Sequence, residues 1–218
     1  MYRKLTPEET DAILEAGIDE FALKGPDGAS MQGIANRAGV SVGVLYKYYK
    51  NKEHFFESCL RRCLVVLEDV IRDVLEEEDK ILVRAEKLIR AIQKIAKEHP
   101  RYNVLYQELT SGSCRAYAAR YARDIETISG LAYTSFLRQA QEEGLIRQDA
   151  DARLLAFFFD SLLMMLQFSY SCDYYRERFR IYCGEDILDD DEKVVSELLK
   201  FLESAFTFEA DQIQHGGG

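Results

Sequence analysis

Residues Ser30 to Tyr49 read SMQGIANRAGVSVGVLYKYY. The spacing of apolar and turn-forming residues in this stretch predicts two short helices joined by a tight turn. Ser30 stands where an N-cap hydroxyl accepts from an otherwise orphan backbone N–H. Ile34, Ala35 and Ala38 follow on one helical face. Gly39 falls where a left-handed C′ residue is wanted, since glycine has no Cβ to clash there. Val40 plugs the turn, and Ser41 is placed to cap a second helix whose Val44, Leu45 and Tyr48 share one side. Two capped helices, a glycine turn and a buried valine are the sequence mark of a helix-turn-helix. In that motif the second helix enters the major groove and its N-terminal residues face base edges.

The flanking segments fit this reading. Thr6-Pro7-Glu8-Glu9 is a capping box with proline at N1, so a bracing helix starts there and ends at Lys24-Gly25-Pro26. Its stripe is Ile13, Leu14, Gly17, Ile18 and Phe21. Asn51 caps a fourth helix, whose Phe56, Leu60, Cys63, Leu64, Leu67, Val70, Ile71, Val74 and Leu75 keep helical spacing for about five turns. One long helix therefore leaves the head and enters the rest of the chain. Beyond it, helical stripes run from Ile81 to Ala96, from Tyr102 to Leu109, from Cys114 through Tyr117, Tyr121 and Ile125 to Ala140, from Ala152 to Tyr170, from Tyr174 to Tyr182 and from Lys193 to Phe208. The Ala152–Tyr170 stretch is apolar nearly all round, so it should be buried on more than one side. No stretch alternates as a strand. The expected fold is all-α, with about nine helices: a three-helix head in residues 1–50 and a helical body in 51–218, of which 51–76 form the connecting helix.

The segment Ile13 to Leu60 resembles the N-terminal domain of TetR/AcrR-type transcriptional regulators. The resemblance rests on Phe21, Gly25, Ser30, Ile34, Ala35, Ala38, Gly39, Val40, Ser41, Gly43, Leu45, Tyr46, Tyr48, Lys52 and Phe55, in order, over about a fifth of the chain. Three positions depart from the family pattern. Pro26-Asp27-Gly28 replaces the usual aromatic after Gly25, Tyr49 stands where phenylalanine is commoner, and Val42 stands where a polar or basic residue is frequent. Base readout at Val42 would be apolar, for example against a thymine methyl. The resemblance implies a homodimer whose last two long helices form a four-helix bundle, a palindromic double-stranded DNA operator, and an apolar, aromatic-lined effector pocket in the body. Two heads about 34 Å apart match one turn of duplex.

Charge is distributed consistently with this. The net charge of −10 argues against nonspecific nucleic-acid binding by the chain as a whole. Between Gly28 and His54, however, Arg37, Lys47, Lys50 and Lys52 oppose Glu53 alone, a local net charge of +3. The acidic excess lies in runs such as Glu76 to Asp79 and Asp189 to Glu192, read as solvated loops and helix starts. Residues 1–12 hold no apolar leader core, the AFFFDSLLMMLQF stretch falls short of the roughly 18–20 residues of a membrane span, and the five cysteines suit a reducing cytoplasm.

Individual residues divide between functional and structural readings. Gln32, Val42, Gly43, Val44 and Lys47 are the base-edge candidates, with Gly43 allowing close backbone approach to the groove. Tyr46, Tyr48 and Lys52 are phosphate candidates, against packing in the three-helix core for Tyr48 and solvation for Lys52. Ser30 and Ser41 cap helices in either reading, and a helix N-terminus is itself an anion site. Cys59 and Cys63 are i, i+4, yet nothing completes a metal set at family spacing, so they read as small core residues. No HExxH, P-loop, nucleophile elbow or paired-cysteine zinc pattern occurs; the sequence asks for no catalytic residue, metal or cofactor. For the effector pocket, the candidates are Tyr102, Tyr106, Tyr121, Phe136, Phe159 and Asp160, the last a polar break in an apolar helix.

The expectation is a ligand-responsive, cytoplasmic, dimeric repressor released from its operator by a small, largely apolar molecule. One rival is a helical interaction module whose head has lost DNA contact, which the acidic net charge favours. The other is a helical enzyme acting on a small molecule.

Overall fold

Pro7 begins the first element because Thr6 and Glu9 close a reciprocal capping box: the Glu9 N–H donates to the Thr6 hydroxyl and the Thr6 N–H to the Glu9 carboxylate, at 3.2 and 2.9 Å. The computed structural model describes residues 4–75, 80–109 and 115–207. Among them are ten α-helices and no strand: α1 (Pro7–Gly28), α2 (Met31–Ala38), α3 (Val42–Tyr48), α4 (Lys52–Leu75), α5 (Ile81–Glu98), α6 (Pro100–Glu108), α7 (Arg115–Glu142), α8 (Ala152–Ser171), α9 (Asp173–Cys183) and α10 (Asp191–Thr207), with a 3-10 turn at Glu185–Asp189. Cys114, Glu76 to Asp79 and the terminal glycines lie outside the described residues, as do the side chains of Tyr117 and Ile125.

The chain divides into two compact units, Met1–Leu67 with His99–Arg123, and Glu68–Glu98 with Asp124–Gly218. In the first, Phe21 is fully buried and meets Phe56 edge-on at 4.9 Å and Phe55 at 6.2 Å. Phe55 in turn packs edge-on against Tyr49 at 4.5 Å. Burying each such ring contributes roughly 1.5–3 kcal/mol. Helix α1 breaks at Gly25, whose φ of 68° lies in the left-handed region, ahead of Pro26. Gly17 lets α1 approach α4, since a Cβ there would lie 2.5 Å from the Phe55 ring and 2.7 Å from Cys59 Sγ. Phe55 and Cys59 are fully buried, so the core face of α4 includes two residues that the sequence stripe omitted. Burial also pushes both the Cys59 and Cys63 thiols up.

A buried carboxylate ties α1 to α2. Glu20 accepts from Lys24 at 2.6 Å and from Arg37 at 3.5 Å, and the Lys24 hydrogen bond holds its carboxyl below the ordinary range. Its oxygen occupies the space that a side chain at Gly33 would need. Helix α6 packs on α1 in this same unit. The Tyr102 hydroxyl donates to Glu15, which also accepts from Arg62 of α4 at 3.4 Å, while Arg101 pairs with Asp19 at 2.8 Å.

In the second unit α8 packs on α5 and α9, and α10 on α5. Leu88 and Ile89 of α5, Phe159 and Leu163 of α8, Tyr133 and Leu137 of α7 and Val195 and Leu202 of α10 are buried. Gln93 donates to the Tyr170 hydroxyl at 2.9 Å, Tyr170 donates to Asp191 at 3.1 Å, and Lys97 pairs with Asp191 at 2.7 Å. Arg90 grips Glu192 at 2.8 Å. Asp191 and Glu192 form the start of α10, as the acidic run was read, and they also cross-link α5 to α10.

Helix α8 brings one further correction. At 20 residues it is long and apolar enough to cross a membrane by length and composition, although half of its most apolar window is buried within the unit, as in a core helix. Its C-terminal half is buried on more than one side, from Leu166 to Ser171, while its N-terminal half keeps an open face. Leu154, Phe157 and Phe158 are each more than half exposed in the single chain, at 56%, 63% and 58%.

Candidate nucleic-acid interface

The turn between α2 and α3 is built as the sequence predicts. Ser30 accepts from the Gly33 N–H at 3.0 Å. Gly39 adopts φ 68°, ψ 25°, and the pair Val40 N–H to Ala35 carbonyl at 3.0 Å and Gly39 N–H to Asn36 carbonyl at 3.3 Å closes a Schellman turn. Helix α3 is then clamped from behind by Leu45, which is fully buried. That one anchor leaves the other sides of a seven-residue helix outward.

Val42 and Val44 are half-buried and Gly43, Tyr46, Lys47 and Tyr48 exposed, Tyr46 at 53%. Ser41 takes the N-cap backbone conformation but its side chain makes no capping hydrogen bond, which corrects the expected cap and leaves the hydroxyl unspent. The Tyr46 hydroxyl likewise has no partner among the described residues. Tyr48 does not pack in the core; its hydroxyl accepts from the Leu5 N–H at 2.9 Å, while the Lys47 ammonium lies 5.2 Å from its ring centroid. Gln32 is exposed and donates to Asn36 at 2.9 Å. Lys52 is neither solvated nor free, because its ammonium donates to the Asp27 and Ala29 carbonyls at 3.1 and 2.9 Å. Two of its three donors are spent there, and the third has no acceptor among the described residues. Arg37, counted in the local +3, is partly neutralised by Asp19 and Glu20.

The effector candidates are shared between the two units. Tyr102, Tyr106 and Tyr121 belong to the first unit, and Phe136, Phe159 and Asp160 to the second. Burial pushes the Tyr102 phenol up, helped by its bond to Glu15. Phe159 is a core ring, packed edge-on with Tyr133 at 5.3 Å. Phe136 lines a cavity of about 460 Å³ in the second unit, together with Ile71 and Arg72 of α4, Arg84 of α5 and Ile128 and Ala132 of α7. That volume lies within the range of small-molecule sites. The lining from α4 and α5 was not anticipated, because a stripe of aromatics marks a core and not a void.

Asp160 is pushed up to about 6 by burial, with the Glu126 charge as second cause. A carboxyl raised above its unfolded value of 3.8 favours the folded state when protonated. That contribution is full below pH 4 and is lost as pH rises through about 6. Asp160→Asn is therefore expected to stabilise the second unit by up to about 2 kcal/mol at pH 8 and to change nothing at pH 4, read from urea melts at both pH values. Equal shifts at the two pH values would mean that titration is not the cause.

Residues 13–59 match the sequence profile of bacterial regulatory proteins of the tetR family. The HTH-type transcriptional repressor KstR2 of Mycobacterium tuberculosis is 27% identical over 146 residues, covering 67% of this chain and 73% of that protein. Among solved structures, the fatty acid degradation regulator FadR from Bacillus halodurans superposes with a TM-score of 0.69 at 22% identity, over 87% of this chain and 97% of that one. The KstR2 structure gives 0.67 at 22% identity over 94% and 98%. FadR from Bacillus subtilis, in complex with stearoyl-CoA, gives 0.68 at 18% identity over 87% and 97%.

Proposed function

We propose that this chain, which belongs to the TetR family of transcriptional regulators, is a dimeric repressor that leaves its operator when a small, largely apolar molecule occupies the cavity lined by Phe136. One observation carries the reading: the first turn of α3 is open to solvent while Leu45 fixes the helix from behind. Val42, Gly43 and Val44 are offered to base edges. Gln32 and Lys47 join them as base-edge candidates, and Ser30, Ser41, Tyr46, Tyr48 and Lys52 surround them with groups that suit phosphates. Residues 1–50 are the reading head. Leu154, Phe157 and Phe158 of α8 and Phe201 of α10, each more than half exposed in the single chain, are the apolar residues that two copies would bury, since large exposed apolar patches mark interfaces.

Coupling runs through α4. Its first turn carries Lys52, bonded to the Asp27 and Ala29 carbonyls, and its last turns carry Ile71 and Arg72, which line the cavity. A ligand shifts the dimer only by its difference in affinity between the two states. With ligand preferring the state whose heads no longer match the groove spacing, operator release follows.

The test is a salt titration of operator binding. Retardation should weaken linearly in log–log form, with a slope near −0.9 for each phosphate neutralised. Lys52→Ala, which removes one phosphate-directed charge from each head of the dimer, should make the slope shallower by about 2. A complex indifferent to salt, or no complex with any genomic fragment, would favour the rival interaction module to which the net charge of −10 points.

A further inference from the structure

Resting on that reading, we infer that the effector is an amphipathic anion whose charged end pairs with Arg84. The cavity wall from Ile71, Ile128, Ala132 and Phe136 is apolar, yet Arg84 and Arg72 border it against Glu68 alone. The two arginines differ. Arg72 is engaged by Asp69 and Asp73 on its own helix. Arg84 meets no carboxylate within ion-pair distance among the described residues; its described contact is the face of Phe136, with the guanidinium carbon 5.5 Å from the ring centroid. Its Nε–H is sealed from solvent and has no acceptor. Buried donors are nearly always paired. Among the described residues, Arg84 is therefore a cation without a carboxylate beside an apolar wall, with one sealed donor unpaired. An oxyanion completes both. Turning the Nε–Nη edge toward the cavity lets a two-oxygen anion accept in parallel, while the attached hydrocarbon fills the wall from Ile71 to Phe136. A neutral apolar ligand leaves the charge and the donor as they are. A carboxylate at the end of an aliphatic chain and a phosphate of an acylated nucleotide share this chemistry.

The experiment is calorimetric titration of the full-length dimer, without DNA, with stearate, stearoyl-CoA and the uncharged stearyl alcohol, repeated with Arg84→Gln and Arg84→Lys. The wild type should bind an anionic probe more tightly than the alcohol. Arg84→Gln should lose about ten- to a hundredfold for that anion and little for the alcohol, with Arg84→Lys between the two. A loss confined to stearate identifies a carboxylate partner, and one confined to stearoyl-CoA a phosphate. Equal binding of acid, thioester and alcohol by the wild type, no binding of either anion, or an unchanged anion affinity in Arg84→Gln would overturn the inference. Thermal melting of both variants separates lost binding from lost folding. Operator release is scored in a separate assay, so a protein that binds the anion but keeps its DNA refutes the repressor mechanism and leaves the Arg84 assignment standing.

Discussion

Gly17→Ala is expected to destabilise the protein by about 2–3 kcal/mol, measured as a lower urea midpoint at unchanged slope. In an isolated helix the same change would help, by up to about 1 kcal/mol, because alanine gives up less backbone entropy than glycine. Packing decides the sign here. The added methyl would sit 2.5 Å from the ring of Phe55 and 2.7 Å from the sulfur of Cys59. Neither can step aside. Phe55 is fully buried and held between Phe21 and Tyr49, and Cys59 is sealed on the same face of α4. Relief requires α1 and α4 to separate, which opens voids around Phe21, and lost burial then adds to the strain. Phe55→Leu in the alanine background should restore part of the loss by vacating the ring's far edge. A midpoint unchanged in Gly17→Ala would show that the two helices are not in close contact.

The head was legible because its signals are local. Ser30, Gly39 and Asn51 act on backbone groups within a turn of themselves, so the residue type alone identifies the role. Ser41 shows where such reasoning stops: its position and backbone are those of a cap, but the hydroxyl's direction is set by surroundings that the sequence does not print. The clasp of Lys52 on Asp27 and Ala29 is not legible in the sequence, because those carbonyls are more than 20 residues away. The same distance hid the use of Glu20, whose burial demands a glycine at position 33 and arginine at 37. In the body, periodicity located every long helix but not the void. A cavity is a failure of facing stripes to meet, and no single stripe carries that information. Asp191 and Glu192 are legible as a helix start, but their bonds to Lys97 and Arg90 are not, because those partners lie about a hundred residues away.

Gly43→Ala is expected to weaken operator binding at least tenfold, about 1.4 kcal/mol, while leaving the fold as stable or more so by up to about 1 kcal/mol. Gly43 differs from Gly17 in every respect that matters. A Cβ on it would meet nothing nearer than the Ser41 hydroxyl, at 3.8 Å, and its φ is not positive. Neither turn geometry nor packing within the chain therefore requires glycine in the first turn of α3, where its flexibility costs helix stability. What glycine does supply there is a backbone without a side chain on the face where Val42 and Val44 are half exposed. Against a duplex, a methyl at that point holds the helix axis away from the groove floor and lengthens every contact on either side of it, base edges and phosphates together. Bidentate and apolar base contacts are each worth about 1–3 kcal/mol and fall steeply with distance, so a small displacement suffices. The measurement is a pair of assays on one preparation: retardation of an operator selected by the wild-type protein, and urea unfolding. Weaker DNA binding with an undiminished midpoint assigns the glycine to the interface. Wild-type affinity in the alanine variant would mean that the first turn of α3 does not approach the duplex at all, and the stability gain alone would then leave the presence of glycine at this position without a physical reason.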